Sequence, residues 1–348
     1  MKTLEVCEMT RKELEAYMVN IGERPFRARQ VMKWTYKKTL LDFENMTDLP
    51  ISLRKKLKES LKFYDLRLLE VLSSKDGSSK FAFELGDGQV IESVLIPDED
   101  RLTLCVSSQV GCVLACKFCL TGQIGFSRNL SASEIVGQVL EVQRTIGPSR
   151  RITNVVFMGM GEPLLNYGEV KKAIEILEDD YGFGLSWRKV TLSTVGIIPE
   201  LKRLFSEGVR CRIAISLNAP DQDLRSELMP ISRRYTLEEL LDTCRNLPLL
   251  PRERITFEYV LIKDVNASPK EALKLTELLR GIRCKVNLIP FNEAPELPFR
   301  SPTPEEVESF QRILLDRGIT ALVRKSFGKD IMAACGQLRG KVNRERRS

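Results

Sequence analysis

The 348-residue chain has no histidine, only two tryptophans and no apolar run long enough to span a membrane. The absence of histidine excludes imidazole acid–base catalysis, Ser/His and Cys/His nucleophile pairs, and every zinc site with a His ligand. A membrane span needs about 18 apolar residues in a row. The amino terminus, with Lys2, Glu5 and Glu8, also lacks the apolar core of a signal peptide. We therefore expect a cytoplasmic protein with no membrane partner.

The charge is mildly basic and unevenly placed. Lys and Arg outnumber Asp and Glu by 54 to 47, and residues 1–60 carry thirteen basic against nine acidic residues. The last residues form a second basic stretch: Arg339, Lys341, Arg344, Arg346 and Arg347. Such placement favours a polyanionic partner such as RNA, although a solvated, solubilising surface explains it equally well.

The chain contains nine cysteines. A disulfide framework explains them poorly, because the cytosol is reducing and the chain is long enough to bury a large core. Metal binding or thiol chemistry is the better interpretation. We expect Cys7, Cys211, Cys244 and Cys284 to be inert buried or structural residues.

The periodicity divides the chain into four parts. Residues 1–65 predict a helical accessory domain, with amphipathic segments over Arg11–Val19, Arg27–Lys38 and Ser52–Leu61. Residues 66–100 predict a β-hairpin linker region with turns at Lys75-Asp76-Gly77 and Gly86-Asp87-Gly88. Residues 101–326 alternate strands and helices, and residues 327–348 form a carboxyl-terminal segment that ends in the basic tail.

The third part indicates an α/β fold. The predicted strands are Leu102–Ser107, Asn154–Met158, Lys189–Ser193, Arg212–Leu217, Ile255–Ile262, Lys285–Pro290 and a short seventh, Thr320–Arg324. The predicted helices are Ala132–Thr145, Tyr167–Leu177, Pro199–Glu207, Leu237–Asn246, Pro269–Leu279 and Pro304–Asp316. Strand-then-helix units predict a parallel barrel or a doubly wound sheet.

In barrels of this kind the chemistry lies at the carboxyl ends of the strands. Cys112, Cys116 and Cys119 follow the first predicted strand at positions i, i+4 and i+7. Three such thiolates can hold three corners of a [4Fe–4S] cluster and leave one iron open for a substrate. The alternative is a structural zinc site completed by a distant cysteine.

The CxxxCxxC run after the first strand resembles the radical S-adenosylmethionine (SAM) superfamily. The resemblance implies a partial (β/α)6 TIM-like barrel, and SAM bound to the open iron through its amino and carboxylate groups. Met158-Gly159-Met160-Gly161-Glu162-Pro163 resembles the superfamily's GGEP motif, which holds the SAM amino group. If the upstream cysteines were absent, we would interpret this stretch as an ordinary strand-to-helix turn.

From about residue 10 to residue 340 the sequence resembles the RlmN/Cfr family of RNA adenine methyltransferases, most clearly in CVSSQVGCxxxCxFC. The resemblance implies two SAM molecules per turnover. The first methylates Cys335, and a 5′-deoxyadenosyl radical from the second removes a hydrogen atom from that methyl group. The methylene radical then adds to adenine, and Cys105 releases the product through a transient disulfide with Cys335. Without the family, both cysteines would be called inert.

The same resemblance implies the remaining site residues. Glu92 matches the family's proton acceptor, a role for which no histidine is available; otherwise it would be an exposed strand residue. The positions that match SAM contacts are Gly161, Glu162, Ser193, Ser216, Leu217, Asn218 and Asn292. Asn218 departs from the family pattern, which usually has His in SLHAP, and this puts that single contact in doubt.

Local sequence favours the C2-methylating branch over the C8-methylating, Cfr-type branch. The features are Ile91 to Pro97, Val110 before Gly111-Cys112, and Pro163. The resemblance implies C2 methylation of adenine 2503 in 23S rRNA and of adenine 37 in some tRNAs, by a monomer that receives electrons from flavodoxin or ferredoxin. The alternatives are a C8 methyltransferase, a zinc-containing RNA-binding protein without activity, and a radical enzyme with another substrate.

Overall fold

The computed structural model describes residues 4–340, so the tail from Lys341 to Arg347 lies outside the described residues. The first part is a small helical module. Its elements are β1 (Leu4–Glu5), α1 (Arg11–Asn20), α2 (Phe26–Met32), α3 (Ile51–Ser60) and β2 (Leu61–Lys62). Thr10 and Glu13 cap α1 reciprocally in a capping box. The single helix predicted over Arg27–Lys38 is α2 followed by a π-helical turn at Lys33–Lys37.

Three antiparallel strands follow: β3 (Leu66–Ser73), β4 (Ser79–Leu85) and β5 (Val90–Asp98). Both predicted turns are present, and Gly77 and Gly88 take left-handed backbone angles there, with φ of +87° and +80°. β5 pairs antiparallel with β6 (Arg101–Cys105). The hairpins therefore extend the sheet of the main domain instead of forming a separate linker layer.

The short elements around the cysteines come next: β7 (Gln109–Gly111), α4 (Leu120–Gln123) and β8 (Phe126–Asn129). β7 and β8 form their own two-stranded antiparallel ladder. The remaining strands are β9 (Asn154–Phe157), β10 (Val190–Thr194), β11 (Arg212–Ser216), β12 (Ile255–Leu261), β13 (Cys284–Pro290) and β14 (Ala321–Val323).

All seven predicted strands of the main domain are confirmed, with ends that differ by at most two residues. They run parallel in the order β6, β9, β10, β11, β12, β13, β14, and the antiparallel β5, β4 and β3 complete a ten-stranded sheet. A doubly wound sheet reverses its strand order at a switch point. This order never reverses, which is the arrangement of a partial barrel.

The helices between these strands are α5 (Ala132–Ile146), α6 (Tyr167–Glu178), α7 (Ile198–Ser206), α8 (Gln222–Leu228), α9 (Leu237–Arg245), α10 (Pro269–Leu278) and α11 (Pro304–Asp316). The sequence predicted all of them except α8. Along β12, Ile255, Phe257, Tyr259 and Leu261 are fully buried, which places a continuous apolar core beneath the strand ends. Over residues 4–340, every helix is too short or too polar to cross a membrane.

Candidate active site at the carboxyl ends of the strands

The three motif cysteines lie in one loop between β7 and α4, and the β7–β8 ladder closes its base. The Cys112 amide donates to the Gly125 carbonyl at 2.8 Å. Gly111 has φ +75°, and a Cβ there would lie 1.9 Å from that same carbonyl oxygen. Only glycine permits this approach. The ladder thus fixes the position at which the cysteine loop begins.

Inside the loop, the Cys119 amide donates to the Cys116 carbonyl at 3.2 Å, and the Gly122 amide donates to the Cys119 carbonyl at 3.1 Å. Cys116 is buried, and Cys112 and Cys119 are half-buried. Burial raises the pKa of Cys112 to about 12 and that of Cys116 well above its usual value, and the neighbouring thiols raise both further. Three thiolates can coexist here only beside compensating positive charge, which the irons of a cluster supply. The loop therefore fits a cluster.

Among the residues that the structure describes, no three His, Cys, Asp or Glu side chains converge as ligands of one metal ion do. A tetrahedral zinc site needs such convergence. The thiolates of a cubane cluster bind three different irons and lie farther apart. The cluster assignment stays a prediction.

The Gly-Glu-Pro turn after β9 packs closely against the start of the cysteine loop. A Cβ on Gly159 would lie 2.7 Å from backbone atoms of Val106, and one on Gly161 (φ +98°) would lie 2.5 Å from the Gln109 Cβ. The buried Glu162 carboxylate accepts the Leu164 amide at 3.1 Å and the Val195 amide at 2.9 Å.

Burial raises the pKa of Glu162 to about 7, against the lowering effect of these hydrogen bonds and one from Thr194. The carboxylate therefore ties the β9 turn to the end of β10. A bound cation such as an ammonium group would favour its ionised form.

The other predicted SAM contacts also lie at strand ends. Ser193 is in β10, Ser216 ends β11, and the buried Asn292 follows β13. Asn292 donates through Nδ2 to the Cys335 carbonyl at 3.2 Å, and its Oδ1 is buried without a hydrogen-bond partner among the described residues. A buried acceptor of this kind requires a donor, and the amino and hydroxyl groups of SAM are donors.

The amide of Asn218, where the family usually has His, is used within the chain. Its Oδ1 accepts the Val260 amide at 2.9 Å, and its Nδ2 lies 3.3 Å from the Met229 sulfur. The residue has φ +59°, and Leu217 before it is fully buried. The side chain therefore fixes the backbone after β11, and the Asn218 carbonyl also accepts from Asn266 Nδ2 at 2.8 Å.

The segment that carries Cys335 lies directly on the cysteine loop. The Leu120 amide donates to the Gly336 carbonyl, and the Thr121 hydroxyl donates to the Leu338 carbonyl, both at 2.8 Å. Gly336 has φ +83°, and a Cβ there would lie 3.2 Å from the Phe118 carbonyl. The fold thus brings residues more than 200 positions apart in sequence into one site.

Cys335 and Cys105 lie close enough that the charge of one affects the other. Desolvation raises the pKa of each to about 12, helped at Cys105 by Cys335 and at Cys335 by Cys119. Cys335 nevertheless keeps part of its surface exposed to solvent. Cys105 is buried at the end of β6. All nine cysteines are free thiols.

Glu92 on β5 is a buried residue, so the interpretation as an exposed strand position is wrong. Its carboxylate pairs with Lys80 on the neighbouring β4 at 2.9 Å. It also accepts the backbone amides of Arg339 at 2.6 Å and Gly340 at 3.0 Å. The carboxylate therefore holds the end of the Cys335 segment against the hairpin. Sequence reasoning missed Lys80. It lies on β4, two residues before Ala82, the residue directly opposite Glu92 in the β4–β5 pair.

The basic surface of the helical module lies on α2 and the π-helical turn. Arg29, Lys33, Lys37 and Lys38 are exposed. Trp34 is half-buried, its indole nitrogen donates to Asp48 at 2.5 Å, and the Lys38 ammonium lies 3.3 Å from the ring centroid. One face of this ring is already covered.

Comparison with known proteins gives matches to both the helical module and the main domain. Residues 4–62 match the family described as ribosomal RNA large subunit methyltransferase N-terminal domain, and residues 106–276 match the radical SAM superfamily. A protein named dual-specificity RNA methyltransferase RlmN, from Syntrophobacter fumaroxidans, is 50% identical over 97% of this chain and 98% of its own.

A protein of the same name from Syntrophus aciditrophicus is 47% identical over 99% of each chain. The crystal structure of a radical SAM methyltransferase from Sphaerobacter thermophilus superposes with a TM-score of 0.93 at 44% identity. It covers 97% of this chain and 100% of that one. These matches span the helical module, the sheet and the cysteine loop together.

Proposed function

The chain belongs to the RlmN family of radical SAM RNA methyltransferases, and we propose that it methylates the C2 carbon of adenine 2503 in 23S rRNA and of adenine 37 in some tRNAs. The observation that carries the proposal is the docking of the exposed Cys335 segment on the cysteine loop, with Cys105 and Glu92 beside it. An aromatic C–H carbon is neither acidic nor nucleophilic, so its methylation requires radical chemistry.

Cys112, Cys116 and Cys119 would hold a [4Fe–4S] cluster. Gly161, Glu162, Ser193, Ser216, Leu217, Asn218 and Asn292 would hold SAM. When bound, the cluster supplies the electron, and SAM supplies the methyl group and the radical. Asn292 offers its unpartnered Oδ1 as an acceptor, and Glu162 offers a carboxylate whose charge a bound cation stabilises.

Three side chains would act on the RNA. Cys335 carries the methyl group to adenine and becomes bonded to the base through that carbon. Glu92 accepts the proton from the ring carbon on Oε1, which among the described residues pairs with Lys80, while Oε2 accepts the amides of Arg339 and Gly340. The adduct left by radical addition would also have to give up one electron, for which the proposed cluster would be the acceptor. The Cys105 thiolate then attacks the Cys335 sulfur to form a disulfide, and the electron pair of the broken sulfur–carbon bond stays with the carbon, which takes up a proton and remains on the base as the methyl group.

The exposed cations of the helical module would contact the RNA backbone, an interaction that weakens with rising salt. The target base would have to leave its stack before its C2 carbon reaches Cys335. We further propose a cytoplasmic enzyme that receives its electron from a flavodoxin or ferredoxin and acts as a monomer.

Nucleoside mass spectrometry of RNA treated with the reconstituted protein tests this proposal. We expect 2-methyladenosine in 23S rRNA and in tRNA, and none with Cys335→Ala. Cys284→Ala is the matched control and should retain activity. Cys284 is the first residue of β13, at the amino end of the strand, whereas the site lies at the carboxyl ends. The C8 isomer as product would place the chain in the other branch, and methylation by Cys335→Ala would overturn the role of Cys335.

A further inference from the structure

Arg225 on α8 is the largest side chain in the described structure that is almost fully buried, at 1% exposure. Its guanidinium donates to the Val195 carbonyl at 2.8 Å, the Ser232 hydroxyl at 2.9 Å, and the Ser216 and Leu217 carbonyls at 3.2 Å. These partners are all neutral. The guanidinium thus joins the ends of β10 and β11, where the predicted SAM contacts lie.

No carboxylate of residues 4–340 balances this charge. The thiols of Cys116 and Cys244 lie near enough that their ionised forms would raise the pKa of Arg225. Burial lowers the pKa of Arg225 to about 10, so the guanidinium remains charged at neutral pH. A buried cation without a counter-ion destabilises the folded protein. The fold keeps this charge, so an anion that the chain alone does not provide is expected beside it.

The position of α8 indicates where that anion lies. The Lys117 amide, next to Cys116, donates to the Leu228 carbonyl at 3.0 Å. Leu228 is three residues after Arg225, on the same side of the helix. The Lys117 ammonium pairs with Glu227 at 3.1 Å. Helix α8 therefore packs directly behind the cysteine loop, with Arg225 between that loop and the ends of β10 and β11.

We propose that Arg225 is a positioning residue that serves as the fixed counter-charge of the cluster and raises its reduction potential. The inference rests on the proposed binding of a [4Fe–4S] cluster by the three cysteines. A cluster with three thiolates has a net negative charge and becomes more negative on reduction. A fixed cation nearby stabilises the reduced form more than the oxidised form, because the Coulomb energy grows with the charge.

Two substitutions separate this electrostatic role from a structural one. Arg225→Gln removes the positive charge. Arg225→Lys keeps the positive charge but loses most of the hydrogen bonds that the guanidinium donates. Arg283→Gln is the matched control, because Arg283 also donates to three backbone carbonyls, of Leu249, Leu250 and Pro251, but is exposed. The measurement is the midpoint potential from a redox titration followed by electron paramagnetic resonance, with thermal unfolding in parallel.

We expect Arg225→Gln to shift the midpoint to a more negative potential, and Arg225→Lys and Arg283→Gln to leave it near that of the unsubstituted protein. A folded Arg225→Gln protein that takes up no iron, while Arg225→Lys takes up a cluster of normal potential, also supports the proposal. An unchanged potential in Arg225→Gln overturns it. Unfolding of both Arg225 variants overturns it too, because the role would then be structural. If the unsubstituted protein holds no cluster, the proposed function itself fails.

Discussion

The cysteine loop and the Cys335 segment make up one site but differ in how they are encoded. The loop places its three thiols within eight residues, Cys112 to Cys119, and a local ladder closes it. The Cys335 segment reaches the loop from the far end of the chain through hydrogen bonds of Gly336 and Leu338, and Glu92 on a third segment anchors its end. Spacing alone therefore predicts the metal chemistry, whereas spacing does not mark the group proposed to act with it, which resemblance to a family names and the fold brings to the loop.

The largest effect is expected from breaking the loop. Cys116→Ala removes the buried one of the three proposed ligands, and the remaining two thiols would not hold a cubane. We expect iron to fall from about four per chain to a small fraction of that, and RNA methylation to vanish. Iron and sulfide analysis after anaerobic purification measures this. Cys211→Ala, a half-buried thiol outside the site, should keep its iron; an equal loss in both variants would contradict the assignment.

The next largest effect is expected from a substitution beside Cys335 that leaves the cysteine loop intact. Cys105→Ala removes the thiol that we propose attacks Cys335, so the covalent RNA–protein species should accumulate instead of turning over. A denaturing gel of labelled RNA should show a shifted band in this variant and none in Cys105→Ala/Cys335→Ala. Iron content should be normal in both. Efficient product release by Cys105→Ala would assign the resolving role to another group.

A smaller effect tests the closure of the loop. Gly111→Ala places a Cβ against the Gly125 carbonyl at a left-handed φ of +75°, so we expect a loss of about 3 kcal/mol or more. Gly208→Ala, with φ +69° and nothing within 4 Å, should cost only about 1 kcal/mol. Chemical denaturation of both variants gives the comparison. Equal losses would mean that the contact with Gly125 adds nothing.

The smallest effect lies outside the site. Burial raises the pKa of Glu178 at the end of α6 to about 7, and its buried Oε1 has no partner among the described residues. The folded state therefore favours the neutral acid, and this stabilisation is lost as pH rises from the ordinary 4.5 through 7. Glu178→Gln stays neutral, so it should be slightly more stable than the unsubstituted protein at pH 8 and no more stable at pH 4. A pH-independent difference would show that Glu178 does not titrate this way.

Much of this architecture follows from the sequence because it depends on local periodicity. The seven strands of the main domain, six of its helices and the two turns at Gly77 and Gly88 lie where the patterns predict. Helix α8 was missed because its seven residues are too short for periodicity to register. Only its cap, Asp221, which accepts the Leu224 amide at 3.0 Å, signals a helix start.

Sequence reasoning missed two residues near the site, Lys80 and Arg225, for the same physical reason. Lys80 and Arg225 act through tertiary contacts: Lys80 with a carboxylate on the neighbouring strand, and Arg225 with carbonyls at two strand ends. Nothing adjacent in sequence marks either one. Glu92, Cys105 and Cys335 could be named in advance only through resemblance to a family, because each looks ordinary among its sequence neighbours.

The proposed function depends on an iron that the three thiolates would leave open for SAM. Electron paramagnetic resonance of the reduced protein with SAM labelled at its amino nitrogen and carboxylate oxygens tests this most directly. We predict a [4Fe–4S] signal that changes on addition of SAM and shows coupling to both labels. A cluster signal that SAM leaves unchanged, or a folded and active protein that contains no iron, would contradict it.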